Sequence, residues 1–210
     1  MNLQHTHPYM LCIWILIHEG CHANGHNASL KANQSEKEKY VKMLLINPHP
    51  LIISRAIYER HDYPLCVQSR LKRILEVGFN HNLSYYERGY QKQTRGRRWF
   101  CNTFYHVKHV GTVLLFGASA FTESHHVDPR VSGTYIVRFA SEICFVAAKH
   151  TPRGNAACLL WRLSRARRHE RITCREAFNI YCSNYVGHQV VYTRETCATR
   201  SAVRRPNAVE

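Results

Sequence analysis

One short stretch near the N-terminus has the residue types and the spacing of a catalytic zinc site. His18-Glu19-Gly20-Cys21-His22 fits the pattern H-E-x-x-H. On a helix, two histidines four residues apart lie on one face and can bind a single zinc ion, while the glutamate between them activates the metal-bound water. The pattern therefore offers a zinc site at His18 and His22, although the leading functional interpretation needs no cofactor.

This stretch resembles the zinc metallopeptidases of the zincin type. With Gly25 the pattern becomes HExxHxxG, which is similar to the start of the metzincin signature. The resemblance implies peptide hydrolysis, with His18 and His22 on the zinc and Glu19 as the base. It covers nine residues, and Ala28 stands where a metzincin would have its third histidine.

Two further patterns could carry chemistry. The nine cysteines form no C-x-x-C motif, but Cys174, Cys182 and His188, with His169 just upstream, could gather a zinc ion if the fold brought them together. The stretch 117–121, GASAF, is similar to the nucleophile elbow of hydrolases but lacks its last glycine. The alternative for this stretch is a strand end packed with small residues.

Carboxylates are scarce, whereas basic side chains are abundant. The chain has 29 Lys and Arg, 21 of them Arg, against 14 Asp and Glu, which gives a net charge of +15. Asp62 and Asp128 are the only aspartates, so the carboxylate cluster of two-metal phosphoryl chemistry is missing. Guanidinium groups bind phosphate in a bidentate fork and stack on bases, so an arginine excess favours RNA or another polyanion as the partner.

Residues 84–100, SYYERGYQKQTRGRRWF, alternate aromatic and basic side chains. Aromatic rings can stack on unpaired bases while arginines hold the phosphates. This segment, the arginines of 162–168 and the basic tail over 194–210 form the predicted contact surface. The alternative is an ordinary exposed hairpin. The predicted nucleic-acid-binding residues are Arg88, Tyr90, Lys92, Arg95, Arg97, Arg98, Trp99, Arg162, Arg165, Arg167 and Arg168.

An apolar run at 10–17, MLCIWILI, is too short to span a bilayer but has the size of a signal-peptide core. Cys21-His22-Ala23 places small residues at a possible cleavage site, and cleavage there would remove both zinc ligands. Asn27, Asn33 and Asn82 lie in glycosylation sequons. Secretion is thus an alternative to the cytoplasmic or nuclear location that we take as the default.

The element pattern predicts an α+β fold: a helical N-terminal half, then short strands and two helices in the C-terminal half, with part of the chain disordered. The domain boundaries follow as a leader and linker over 1–34, a single basic domain over 35–193 and a basic tail over 194–210. Helices are predicted at 36–47, 51–61, 65–77 and 156–169, and from the capping box of Thr173 and Glu176; strands are predicted at 104–110, 113–116, 134–139 and 188–193.

The leading functional interpretation is a small non-enzymatic RNA-binding or accessory protein. Three alternatives stay open: a zinc metallopeptidase using the motif at 18–22, a secreted glycosylated protein, and an orphan reading frame without a selected function.

Overall fold

The computed structural model describes residues 33–88, 95–149 and 155–197. Its main feature is an antiparallel sheet in which β1 to β8 each pair with the next strand along the chain, and β8 returns to pair with β1. Two helices flank this sheet, and a ninth strand and a one-turn helix follow. The bounds are α1 33–45, β1 Leu51–Tyr58, β2 Leu65–Leu75, β3 Gly78–Arg88, β4 Arg95–Val110, β5 Val113–Phe121, β6 Gly133–Ala140, β7 Cys144–Lys149, β8 Ala157–Leu163, α2 Glu170–Cys182, β9 His188–Val191 and α3 Arg194–Cys197.

The sheet closes into a barrel at a short seam between β1 and β2. Only Leu51 and Ile52 pair across this seam, with Ser69 and Gln68 respectively. From Arg55 to Tyr58 the same edge of β1 pairs with β9. On the opposite edge, the register of β1 with β8 shifts between Ile53 and Arg55. A disulfide between Cys66 and Cys197 ties the start of β2 to α3. The seam is thus closed by backbone pairing, by β9 and by a covalent bond.

The barrel has an inner core and a smaller outer one. The inner core includes Val41, Leu44 and Leu45 of α1, which packs against one end of the barrel. The outer core lies between α2 and the strands β7 and β8, where disulfides join Cys144 to Cys174 and Cys158 to Cys182. Because these strands are covered on both faces, they read as continuous apolar runs rather than as alternating ones.

The predicted α+β class with a helical N-terminal half is wrong. The segments predicted as helices at 51–61, 65–77 and 156–169 are the strands β1, β2 and β8. In the second of these, Val67, Leu71 and Ile74 have helical spacing, yet Val67 is in the core and Ile74 is exposed. The helix predicted at 36–47 is confirmed as α1, and three predicted strands fall within β4, β5 and β6.

Candidate functional site

The barrel end opposite α1, which we call the mouth, is crossed by the loop between β5 and β6. This mouth loop, residues 122–132, is fixed by backbone contacts: the Asp128 amide donates to the Ala120 carbonyl at 2.8 Å. The Arg60 guanidinium, from the loop between β1 and β2, donates to the Pro129 carbonyl at 2.6 Å. Val131 is buried in the inner core. The mouth loop therefore seals the barrel interior on this side.

The centre of the mouth is a buried carboxylate with three side-chain donors. Asp128 is 2% exposed, and Arg130 donates to its two oxygens at 2.9 and 3.0 Å. The Tyr85 hydroxyl donates to the same carboxylate. Burial by itself would raise the pKa of Asp128, but the hydrogen bonds from Arg130 and Tyr85 outweigh it and hold this pKa below its ordinary value. Asp128 is therefore ionised and fully engaged.

Arg130 links this carboxylate to the neighbouring aromatic rings. Its guanidinium carbon lies 5.1 Å from the Tyr85 ring centroid and 4.8 Å from that of Trp99. Glu87 accepts a hydrogen bond from the Trp99 indole nitrogen at 3.0 Å and lies 3.8 Å from Arg130. Both carboxylates are thus paired with groups of the protein itself. A cationic ligand would have to displace Arg130 to reach Asp128.

Below the mouth, four aromatic rings fill the middle of the barrel. The Phe116 ring centroid lies 5.2 Å from those of both Tyr105 and Phe145, and the Trp161 centroid lies 6.2 Å from the same two. The cavity that remains beside Phe116 and Trp161 measures about 10 Å³, which is room for about one water molecule. The interior is therefore closely packed.

Trp161 differs from the other rings because its donor is unpaired. Its indole nitrogen is buried and has no hydrogen-bond partner among the residues that the structure describes. A buried donor without an acceptor costs about 1–3 kcal/mol. This nitrogen can therefore donate to any acceptor that enters the barrel.

A short polar chain lies deeper in the barrel. The Tyr105 hydroxyl donates to the Ser69 hydroxyl oxygen at 3.1 Å, which in turn lies 3.1 Å from His81 Nδ1. His81 is 1% exposed, and this burial lowers its pKa to about 4. His81 is therefore neutral at physiological pH. The deep interior offers neutral polar atoms and aromatic surface rather than charge.

The residues predicted to bind nucleic acid lie on different parts of the fold. Residues 84–88 belong to β3 and residues 96–100 to β4, and along each of these strands the side chains alternate between the two faces of the sheet. Tyr85 is buried inside the barrel, whereas Arg98 and Phe100 are exposed and in contact, with 4.8 Å between guanidinium and ring. Arg97 lies 4.7 Å from the Trp99 ring. The segment is therefore not one continuous aromatic and basic surface.

The remaining predicted residues divide as follows. Arg162 is buried on β8, and Arg165, Arg167 and Arg168 are exposed in the connection to α2. Arg88 ends β3 with its guanidinium over the Tyr63 ring. Tyr90, Lys92 and the motif with His18 and His22 lie outside the described residues. Arg95 lies in β4, but its side chain is not described.

The zinc cluster suggested for Cys174 and Cys182 is wrong, because both sulfurs are in disulfides and cannot be thiolate ligands. Among residues 33–88, 95–149 and 155–197, no three metal-binding side chains come together. Cys101 is the free cysteine of this part of the chain. Three disulfides indicate an oxidising, extracellular environment and leave the cytoplasmic or nuclear default without support. No helix among the described residues is long and apolar enough to cross a membrane.

The eight strands form a closed up-and-down barrel, with side chains filling its interior and a helix at one end. This is the architecture of the lipocalin-like barrels, which hold small ligands. The chain belongs to the tick histamine binding protein family, whose sequence model matches residues 66–199. None of the curated proteins matches the sequence.

Two solved structures are similar in outline. Japanin from Rhipicephalus appendiculatus, bound to cholesterol, is 14% identical with a TM-score of 0.42, over 71% of this chain and 94% of that one. Apocrustacyanin C2 is 10% identical with a TM-score of 0.49, over 79% of this chain and 87% of that one.

The family membership overturns the leading functional interpretation. A basic RNA-binding protein and an orphan reading frame are both wrong, because the chain belongs to a family described as tick histamine binding proteins. The prediction that the arginine excess serves to bind RNA or another polyanion is therefore also wrong. The secreted alternative agrees better with the family and with the disulfides.

No local pattern in the sequence marks the residues that build the mouth and the interior. Asp128 stands out only as one of two aspartates, and nothing in the sequence distinguishes Arg130 or Trp161. The spacing of Asp128 and Arg130 at i and i+2 is too common to mark a site by itself. What makes them important is burial, which depends on pairings between distant strands.

Proposed function

We propose that this chain is a secreted protein that binds one small, uncharged, largely apolar molecule inside the barrel, with Trp161 as its hydrogen-bond donor. The observation that carries the proposal is the unpaired indole nitrogen of Trp161 beside the aromatic cluster of Tyr105, Phe116 and Phe145. A ligand acceptor would satisfy this donor, and the rings supply apolar contact area.

The charge distribution supports an uncharged ligand. The two carboxylates around Arg130 at the mouth are Asp128 and Glu87, and both are engaged by Arg130 or Trp99. His81 is neutral and buried. A charged ligand would therefore be desolvated without a ready partner, which is costly. An aromatic amine such as histamine, after which the family is named, is the second candidate, and it requires Asp128 to exchange Arg130 for the ligand.

Ligand entry requires side chains to move, because the cavity of about 10 Å³ is far below the roughly 300 Å³ of a small-molecule pocket. The mouth loop is the element to move. It contributes Val131 to the core and is held to the rest of the mouth by the hydrogen bonds of Arg60 and Asp128. We infer that binding displaces Val131 and opens the space beside Trp161.

Binding can be tested with phenylnaphthylamine, whose fluorescence rises in an apolar site, and with cholesterol and histamine as competitors. The Trp161→Phe variant replaces the indole with a smaller aromatic ring that has no N–H donor, so it should bind cholesterol about fivefold more weakly, as expected for the loss of one hydrogen bond of about 1 kcal/mol. Phe100→Leu, on the outer face of β4, is the control and should bind like the unmodified chain.

The outcomes separate the two ligand classes. Competition by cholesterol with the expected effect of Trp161→Phe supports an uncharged ligand. If only histamine competed, and its binding were lost in Asp128→Asn but unchanged in Trp161→Phe, the ligand would be an aromatic amine instead. If none of the three compounds bound, the proposal would be overturned.

Secretion is tested independently by expression in a secretory host. Asn33 and Asn82 are both exposed within their sequons, so both can accept a glycan. Appearance in the medium with a mass shift that Asn82→Gln reduces would support secretion. Retention inside the cells with free thiols in place of the three disulfides would contradict it.

A further inference from the structure

A second pocket lies on the outer surface of the barrel, on the opposite face of the sheet from the ligand cavity. It measures about 150 Å³ and lies between β1, β8, β9 and α2. Four arginines from three of these elements line it: Arg55, Arg162, Arg171 and Arg175. Because Arg171 and Arg175 are four residues apart on α2, they lie on the same face of the helix and repel each other.

Arg162 is the most enclosed of the four, since its side chain is 9% exposed. Its guanidinium donates to the Leu163 carbonyl at 2.9 Å. Arg171 similarly donates to the Ala166 carbonyl at 2.7 Å. These carbonyls satisfy individual N–H groups but leave the positive charges uncompensated.

Among the side chains that the structure describes, the pocket contains positive charge without an acidic counterpart. No ion pair joins any of its four arginines to one of the described carboxylates. The other polar groups that line it are uncharged, namely Ser54, whose hydroxyl donates to the Leu160 carbonyl, and Tyr192. Buried charges in proteins are normally paired, because an isolated one costs several kcal/mol.

The environment of Arg162 shows this lack of compensation. Burial, and next the nearby charge of Arg171, lower the pKa of Arg162 to about 10, while Tyr192 acts in the opposite direction and Arg175 adds to the lowering. A bound anion would reverse this imbalance.

We propose that this pocket binds a single tetrahedral oxyanion, a phosphate or sulfate group. Guanidinium forks bind such groups with paired, charge-assisted hydrogen bonds, and arginines from several directions can surround one. The volume of about 150 Å³ is below that of a pocket for a drug-sized ligand, so it suits one such group. The group could be a free ion or the ester group of a larger small molecule, since the chemistry is the same.

The fold holds the pocket in place covalently. Cys174, which lines it, is joined to Cys144 of β7, and Cys182 at the end of α2 is joined to Cys158 of β8. Val191 and Tyr192 close the side formed by β9. The helix α2 therefore stays against β7 and β8, which keeps the backbone of Arg171 and Arg175 close to that of Arg162.

Isothermal titration of the full chain with inorganic phosphate, inorganic sulfate and phenyl phosphate, in a chloride buffer, tests the proposal. The test variant is Arg171→Ala/Arg175→Ala, which removes two charges at positions that are not buried. The matched control is Arg165→Ala/Arg168→Ala, which removes two exposed arginines that do not line the pocket. We expect the test variant to bind phosphate at least about tenfold more weakly, or about 1.4 kcal/mol, and the control to bind it as the unmodified chain does.

Each outcome decides the question. Binding of phosphate or sulfate that the test variant loses supports the pocket, and phenyl phosphate then shows whether an esterified group also fits. Equal binding by both variants, or no heat of binding at millimolar phosphate, overturns it. Phenylnaphthylamine binding should be the same in the test variant and the unmodified chain, so failure of this proposal is distinguishable from failure of the ligand site inside the barrel.

Discussion

Asp128 and Arg130, two residues apart in the mouth loop, form a two-contact ion pair whose carboxylate side is almost completely buried. The pair contacts β3 through the Tyr85 hydroxyl and lies within 3.8 Å of Glu87. A surface loop is thereby attached to the barrel by charge as well as by the apolar contact of Val131. The stability of the mouth and its ability to open are therefore coupled through one carboxylate.

Replacing Arg130 with methionine should destabilise the protein strongly. The change leaves Asp128 buried without its cation, and breaking a buried pair from one side costs about 3–5 kcal/mol. The free energy of unfolding, measured by urea denaturation, should fall by about that amount.

The double variant Asp128→Asn/Arg130→Met removes both charges together. It should recover most of the loss, because no unpaired charge remains and Asn can still accept from the Tyr85 hydroxyl. Arg98→Met, on the outer face of β4, is the control and should change stability by less than about 1 kcal/mol. A small effect of Arg130→Met alone would show that Asp128 is solvated or protonated rather than paired.

Acid should destabilise the fold through His81. Its pKa is about 4 in the folded chain and near 6.5 in the unfolded chain. Between these values the unfolded state takes up a proton that the folded state does not, so stability falls as pH decreases from about 6.5 to about 4. Unfolding curves at a series of pH values should show this decrease.

The His81→Gln variant should be less stable at neutral pH, because it disturbs the contact with Ser69, but its stability should depend less on pH between about 6.5 and about 4. An unchanged pH dependence would assign the effect to other groups. Asp128 also loses its charge in acid, but its pKa is lowered, so its contribution disappears at lower pH.

How far the sequence predicts this fold depends on how local the signal is. The helix α1 is predicted because its apolar spacing lies within a dozen residues. The strand β1 was taken for a helix because the sequence of 51–58 is apolar on both faces, and a continuous apolar run does not distinguish a strand from a buried helix. Both faces are buried because β1 packs against the barrel interior and the outer core, which no local pattern reveals.

The sites were less predictable still, because they are built from distant residues. Arg60 reaches Pro129 across 69 positions, and Tyr85 reaches Asp128 across 43. The arginine excess is visible in the sequence, but it predicts an open surface that binds RNA. Arg162, one of the arginines predicted to contact RNA, is instead enclosed in a small pocket.

Removing the disulfide between Cys158 and Cys182 should loosen α2. The closed loop spans 24 residues, for which the loss of the cross-link costs about 3 kcal/mol. The variant Cys158→Ser/Cys182→Ser removes both sulfurs, so that no free thiol remains at this position. We expect the free energy of unfolding to fall by about that amount.

Phosphate binding should weaken in the same variant, because α2 carries Arg171 and Arg175. Cys101→Ala, at the free cysteine inside the barrel, is the control and should leave phosphate binding unchanged while it affects packing. If peptide mapping without reduction found Cys158 and Cys182 joined to other partners, the structural basis of this prediction would be removed.

Gly187→Ala should detach β9 from β1. Gly187 has a φ of 149°, and a Cβ there would lie 2.2 Å from the carbonyl oxygen of Tyr58. The backbones must therefore separate where β9 begins its pairing. Val191 of β9 and the next residue, Tyr192, line the pocket formed by the four arginines. The variant should therefore lose stability by more than about 2 kcal/mol and bind phosphate more weakly.

The variant Gly111→Ala is a control that has the backbone strain of a positive φ without the steric clash of Gly187→Ala. Gly111 also has a positive φ, 58°, but no atom lies within 4 Å of the position a Cβ would take. This variant should therefore cost only the strain of a left-handed residue, about 1 kcal/mol, and leave phosphate binding intact. Equal losses of stability in the two variants would mean that β9 does not pack closely on β1. The pocket formed by the four arginines would then not be closed on the side of β9.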